Sequence, residues 1–229
     1  MNSFDNGKFA GDKKVGKNFL YGFEHYLVDK FTAKWPSWIQ TYHLTWMTVL
    51  WSAGIVFFGY LAQDNINWLW GSSAMIVLQY ISDLFDGSVG RMRNTGLVRW
   101  GYYMDHFLDY VFVCALLISY FFVTPDSFAT MLFFILALCS AYLVNSYLSF
   151  SASNKFRVSY YKIGPTEMRI VFIVINTLLI MFGTTYSGQL LPWILGAITF
   201  ALFMVVYRTQ KELWKIDMEE KAKNEHGPQ

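Results

Sequence analysis

Six stretches of about 20 weakly charged, mostly apolar residues recur along this chain, near 43-62, 66-86, 102-123, 129-150, 170-186 and 190-207. A helix of about 20 apolar residues crosses the roughly 30 Å hydrocarbon layer of a bilayer. The pattern therefore predicts an all-α integral membrane protein with six transmembrane helices. Composition agrees, since 55% of the 229 residues are apolar and 15% are charged, against about 25% charged in soluble domains. An ordinary water-soluble globule and a disordered chain are excluded. A net charge of +2, and two cysteines (Cys114 and Cys139) that both lie in apolar runs, give no footing to a nucleic-acid partner, a disulfide scaffold or a zinc ribbon.

The links between the stretches alternate in character. Those around Gln63-Asn65, Thr124-Phe128 and Ser187-Gln189 are short and hold no Lys or Arg. All 18 cations fall in the other polar regions: six in 1-42, three in 88-101, four in 151-169 and five in 208-229. Under the positive-inside rule both termini and both basic loops face the cytoplasm. A soluble bundle of buried helices leaves this segregation unexplained. The chain divides into a cytoplasmic N-terminal segment (1-42), a six-span membrane domain (43-207) and a cytoplasmic tail (208-229). The polar-rich start is unlike a cleavable signal peptide.

Within 1-42, Phe19, Leu20, Phe23, Tyr26, Leu27 and Phe31 recur at helical spacing with Glu24, Asp29 and Lys30 between them. That pattern predicts an amphipathic helix lying on the cytoplasmic membrane surface, ended by Trp35-Pro36. Residues 1-18 and the tail from about 216 read as mobile, solvated ends. Trp35, Trp38, Trp46, Trp68, Trp70, Trp193 and Trp214 fall near span ends, as an interfacial aromatic belt requires.

Ionisable groups inside membrane helices are costly, so Asp83, Asp86, Asp105 and Asp109 need an explanation. Asp83 and Asp86 are i and i+3 at the end of the second span, and Asp105 and Asp109 are i and i+4 at the start of the third. Each pair projects from one helix face, and the 88-101 link makes the two spans antiparallel neighbours. Carboxylates this close repel unless protonated or neutralised. A hard divalent cation with oxygen ligands, Mg²⁺ or Mn²⁺, answers that need, and so does a proton or cation path in a transporter. The intervening residues favour the first: Gly87 and Gly90 let a ligand approach the backbone, Gly101 allows tight helix contact, and Arg91 supplies a bidentate phosphate ligand. Acids for metal, arginine for phosphate and glycines for access describe a metal-bridged diphosphate site.

These residues resemble the signature of the CDP-alcohol phosphotransferase family, D-x-x-D-G-x-x-A-R, a spacer, then G-x-x-x-D-x-x-x-D, at Asp83, Asp86, Gly87, Arg91, Gly101, Asp105 and Asp109. Gly90 stands where the family usually has alanine, and the spacer from Arg91 to Gly101 is one residue longer than usual. The resemblance extends to the six-span plan and the preceding surface helix. It implies an enzyme of phospholipid synthesis in which an alcohol hydroxyl displaces CMP from a CDP-linked donor, one of the two substrates being a lipid. It makes Asp83, Asp86 and Asp105 metal ligands and gives Asp109 both metal contact and the role of general base, with one ion or two. Asp83, Gly87, Gly90, Arg91 and Gly101 would line the cytidine diphosphate pocket, and the protein would be a homodimer.

His106 competes with Asp109 as base, because an Asp-His pair here resembles the choline and ethanolamine branch of the family. One residue on from Asp105, however, it points about 100° away around the helix, as a structural histidine would. In the second basic loop, Lys155, Arg157, Lys162 and Arg169 are candidates for an acceptor phosphate or lipid headgroup, and Glu167 for acceptor hydroxyls. Equally, the cations can serve topology alone while Glu167 caps a helix that Pro165 opens. Two donor classes stay open. The loop cations and the short chain favour CDP-diacylglycerol with a small polar alcohol. The Asp-His pair and Thr166-Glu167 favour CDP-choline or CDP-ethanolamine with diacylglycerol.

Overall fold

The computed structural model describes residues 20–153, 164–184 and 187–225, and the regular structure among them is entirely helical. Seven α-helices follow one another: α1 (Tyr21–Phe31), α2 (Thr41–Leu61), α3 (Leu69–Met92), α4 (Val98–Val123), α5 (Asp126–Ser153), α6 (Pro165–Phe182) and α7 (Ser187–Glu225). Single 3₁₀ turns, Thr32–Lys34 and Ile66–Trp68, precede α2 and α3. Five helices, α2 and α4 to α7, are long and apolar enough to cross a membrane, which makes this an integral membrane protein.

Helix α3 occupies the second predicted span but falls short of that apolarity, because the stripe it turns inward is polar. Ser72, Ser73, Gln79 and Ser82 are all buried on it between Leu69, Ile76 and Phe85. Their partners are other helices. Trp51 Nε1 donates to Ser82 Oγ at 3.1 Å, Ser72 Oγ to the Ile55 carbonyl at 3.3 Å, and Asn176 Nδ2 to Ser73 Oγ at 3.0 Å. Lipid offers such groups no partner, so the polar stripe fixes which face of α3 meets α2 and α6.

Two boundaries depart from the sequence expectation. The link expected over 88-101 shrinks to five residues, 93–97, since α3 continues through Gly87 and Gly90 to Met92 and α4 begins at Val98. The turn is closed by positive φ at Asn94 (52°) and Gly96 (70°), residue types that tolerate that conformation. The tail, expected to be mobile from about 216, is helical to Glu225, so α7 runs 39 residues, with Pro192 inside it near its start. At about 1.5 Å per residue it is roughly 58 Å long, near twice the hydrocarbon thickness.

Packing forms three apolar clusters. Ile55, Ile76, Phe112, Ala115 and Leu116 join α2, α3 and α4. Leu117, Tyr120, Leu132, Ile135 and Leu191 join α4, α5 and α7. Ile39, Leu44, Phe85 and Val89 seat the linker after α1 against α2 and α3. At the crossing of α2 and α4 the helices nearly touch: a Cβ added to Gly59 would lie 2.6 Å from the Ser119 Cα. The close approach of α2, α3 and α4 brings the end of α3 and the start of α4 into one corner of the bundle.

Candidate active site

That corner is a pocket. Asp83 and Asp86 enter it from α3, and Asp105 and Asp109 from α4. Thr45 and Thr48 of α2 and Gln79 of α3 complete the polar wall, with Leu44 and Leu108 beside them. The i, i+3 and i, i+4 spacings put each acid pair on one helix face, and the five-residue turn holds the two faces together.

The acids differ in what holds them. Asp86 accepts from both threonines at the start of α2, its Oδ1 from Thr41 Oγ1 and its Oδ2 from Thr45 Oγ1, the latter at 2.6 Å. Asp83 accepts from Arg169, whose Nη2 lies 2.9 Å from its Oδ2 and 3.9 Å from the Asp109 Oδ1. Arg169 is only 4% exposed. Its Nε donates to the buried Gln79 Oε1 at 2.7 Å, and the rings of Tyr80 and Phe112 lie 5.9 and 5.8 Å from the guanidinium carbon. Arg169, a candidate ligand for an acceptor phosphate or lipid headgroup, stands within the bundle as a counter-charge to the carboxylates.

Among the described residues the pocket's donor set is carboxylate, hydroxyl and amide oxygen, without thiol or imidazole, which fits a hard divalent cation. Among the described residues, no three His, Cys, Asp or Glu side chains already encircle a common point. The chemistry fits Mg²⁺ or Mn²⁺, with Arg169 supplying part of the positive charge.

The remaining candidates have definite places. His106 is buried outside the pocket wall. Its Nδ1 lies 2.7 Å from the Tyr102 carbonyl and 3.7 Å from the Asp105 carboxylate, and its ring packs against Tyr102 and Tyr147 at 4.2 and 5.3 Å. Because a carbonyl only accepts, Nδ1 carries the hydrogen. Tyr147 in turn donates to the His106 carbonyl at 2.8 Å, tying α5 to α4. Glu167 accepts from the Gly164 N–H at 2.8 Å, capping α6 with Pro165 in its first turn. Arg91 lies on the last turn of α3, where it donates to Ser88 Oγ at 3.0 Å and crosses over Gly87. Gly90 faces the Thr41 side chain, while a Cβ at Gly101 would meet nothing within 4 Å among the described residues, so the tight helix contact expected at Gly101 is not made with them. Lys155, Arg157 and Lys162 lie outside the described residues.

Three functional contacts were not anticipated from sequence. Thr41 and Thr45 open a buried stripe, Thr41, Thr45, Thr48 and Ser52, whose i, i+4, i+7, i+11 spacing in an apolar span was a readable signal. Glu24 of α1 accepts from Thr166 Oγ1 of α6 at 2.6 Å and from the Tyr80 hydroxyl of α3 at 3.3 Å. Arg93 grips the chain before α2, donating to the carbonyls of Trp35 at 3.2 Å, Pro36 at 2.7 Å, Ser37 at 2.5 Å and Ile39. No pattern marked Arg93 apart from other loop cations.

Residues 42–206, well over half of the chain, match a family model described as CDP-alcohol phosphatidyltransferase. Comparison with curated proteins and with solved structures gave no match.

Proposed function

Starting from the fact that the chain belongs to the CDP-alcohol phosphatidyltransferase family, we propose that it joins the phosphatidyl group of CDP-diacylglycerol to a small polar alcohol and releases CMP. The observation that carries this reading is the convergence of Asp83, Asp86, Asp105 and Asp109 from two helices on one pocket. In the step, the alcohol oxygen forms a bond to the lipid-side phosphorus, the diphosphate P–O bond breaks, and the hydroxyl proton passes to a base. Asp109 takes that proton, because it lines the pocket on α4 while His106 is packed outside its wall. Asp83, Asp86, Asp105 and Asp109 would hold one or two Mg²⁺ or Mn²⁺ ions, which when bound neutralise the diphosphate and the charge that builds on departing CMP. Arg91, at the exposed end of α3, contributes a cation for the cytidine diphosphate.

The choice of donor rests on where the discriminating residues go. His106 and Thr166-Glu167, which favour CDP-choline or CDP-ethanolamine with diacylglycerol, are engaged with Tyr102, Glu24 and the Gly164 N–H. That supports the CDP-diacylglycerol reading. Family membership sets aside an ion or proton transporter. We further propose six spans, with α3 the sixth, both termini and the pocket on the cytoplasmic side, α1 on the membrane surface, and a homodimer. The deciding experiment presents the purified protein with radiolabelled CDP-diacylglycerol, CDP-choline or CDP-ethanolamine, mixed acceptors and Mg²⁺ or Mn²⁺. CMP release with CDP-diacylglycerol alone is expected; CMP from no donor overturns the enzyme reading, and CMP from the small donors overturns the choice of substrate.

A further inference from the structure

The Asp86 carboxylate has each of its oxygens held by a hydroxyl from the same neighbouring helix. Thr41 and Thr45 are i and i+4 on α2, and both are buried, at 7% and 4% exposure. Each hydroxyl has one hydrogen to give. For Thr45 the competing acceptor is the Thr41 carbonyl at 3.1 Å, and the charged oxygen at 2.6 Å is the closer and stronger partner. The terminal torsion of an aspartate is broad and nearly two-fold, so a carboxylate held at one oxygen still swings. Held at both, Asp86 presents a fixed edge to the pocket and keeps a lone pair on each oxygen for a cation.

Access for Thr41 depends on a third residue. Gly90 lies one turn past Asp86 on α3, and a Cβ there would sit 3.2 Å from Thr41 Oγ1 and 3.3 Å from Thr41 Cβ. Contacts that tight oblige the threonine to shift. We propose that Thr41 and Thr45 are positioning residues that orient Asp86 toward a divalent cation, and that Gly90 is the space through which Thr41 reaches it. This rests on the metal-dependent transferase reading above.

The test uses the full-length protein and two readouts: Mn²⁺ binding followed by the electron paramagnetic resonance of the free ion, and the Mg²⁺ concentration giving half-maximal CMP release. Thr45→Val keeps shape and removes the donor, and Thr45→Ser keeps the donor. Losing a group that orients a metal ligand typically weakens binding 10–100-fold, so Thr45→Val should weaken Mn²⁺ binding at least about tenfold and raise the Mg²⁺ requirement in parallel, with Thr45→Ser within about threefold of wild type. Gly90→Ala should weaken Mn²⁺ binding in the wild-type background and add nothing in Thr41→Val. Indistinguishable Val and Ser variants, or an equal Gly90→Ala effect in both backgrounds, would overturn the inference while leaving the proposed function standing. A wild-type protein that releases no CMP from any donor overturns the proposed function and this inference with it.

Discussion

Arg169 offers the sharpest energetic test. Its guanidinium is 2.9 Å from the Asp83 carboxylate and 3.9 Å from that of Asp109, and it is almost wholly buried. At an effective dielectric of about 20 these separations correspond to attractions of about 6 and 4 kcal/mol. Desolvation of the ions offsets much of that sum. What mutation exposes is the asymmetry, since removing one partner of a buried pair and leaving the other charged costs about 3–5 kcal/mol. For a chain of this size each kcal/mol moves the melting temperature by about 2–4 °C, so Arg169→Gln should melt roughly 10 °C below wild type. Thermal unfolding in detergent, followed by the fluorescence of the nine tryptophans, measures this directly. Asp83→Asn in the Arg169→Gln background should recover part of the loss, because the stranded charge goes with it. Mg²⁺ should stabilise Arg169→Gln more than wild type, as the carboxylates have lost their internal cation. A variant melting within about 2 °C of wild type, or a double variant in which the two losses simply add, would refute the counter-charge role.

Other outcomes follow from the same geometry. Asp109→Asn should abolish CMP release while cytidine diphosphate still binds, as an equilibrium binding measurement would register; near-wild-type turnover would remove Asp109 as base. Arg93→Ala should cost about 1.5–3 kcal/mol, the range for hydrogen bonds to a charged group, and should expose the Trp35 to Ile39 segment to chymotrypsin, whereas an unchanged cleavage pattern would show that the four carbonyls need no clamp. Gly59→Ala should destabilise by about 1–3 kcal/mol through the clash with Ser119. Gly196→Ala, built into open space, serves as its control and should stay within about 0.5 kcal/mol of wild type.

Periodicity carried most of the helices, because bilayer thickness imposes a length that local sequence must obey. It located the long helices to within several residues except at the end of α7, which runs to Glu225 rather than to about 207, and the paired spacings of the acids placed them on common faces. What periodicity cannot encode is which faces meet. Gly87 and Gly90 read as room for a ligand beyond a span ending near residue 86, yet α3 runs through them to Met92. A glycine in a helix costs backbone entropy unless a neighbour needs the room, and at Gly90 the Thr41 side chain takes it. Arg169 read as part of a cationic loop because three other cations, Lys155, Arg157 and Lys162, precede it in 151-169. It is internal only because Gln79 and Asp83, ninety and eighty-six residues earlier, lie across from it. Arg93 and Glu24 were opaque for the same reason, as their partners belong to segments with no sequence relation to them.

The reach of Glu24 has a consequence for how the chain assembles. Tyr80 and Thr166, which donate to it, are made at different times, following it by 56 and 142 residues. In synthesis from the N-terminus, α1 precedes the other described helices, yet Glu24 waits for a partner on α6. Until the start of α6 is available, Glu24 lacks its shorter hydrogen bond, and α1 must wait where its aromatic face holds it. The Glu24 contacts of α1 with both helices are therefore complete only when α3 and α6 have come together.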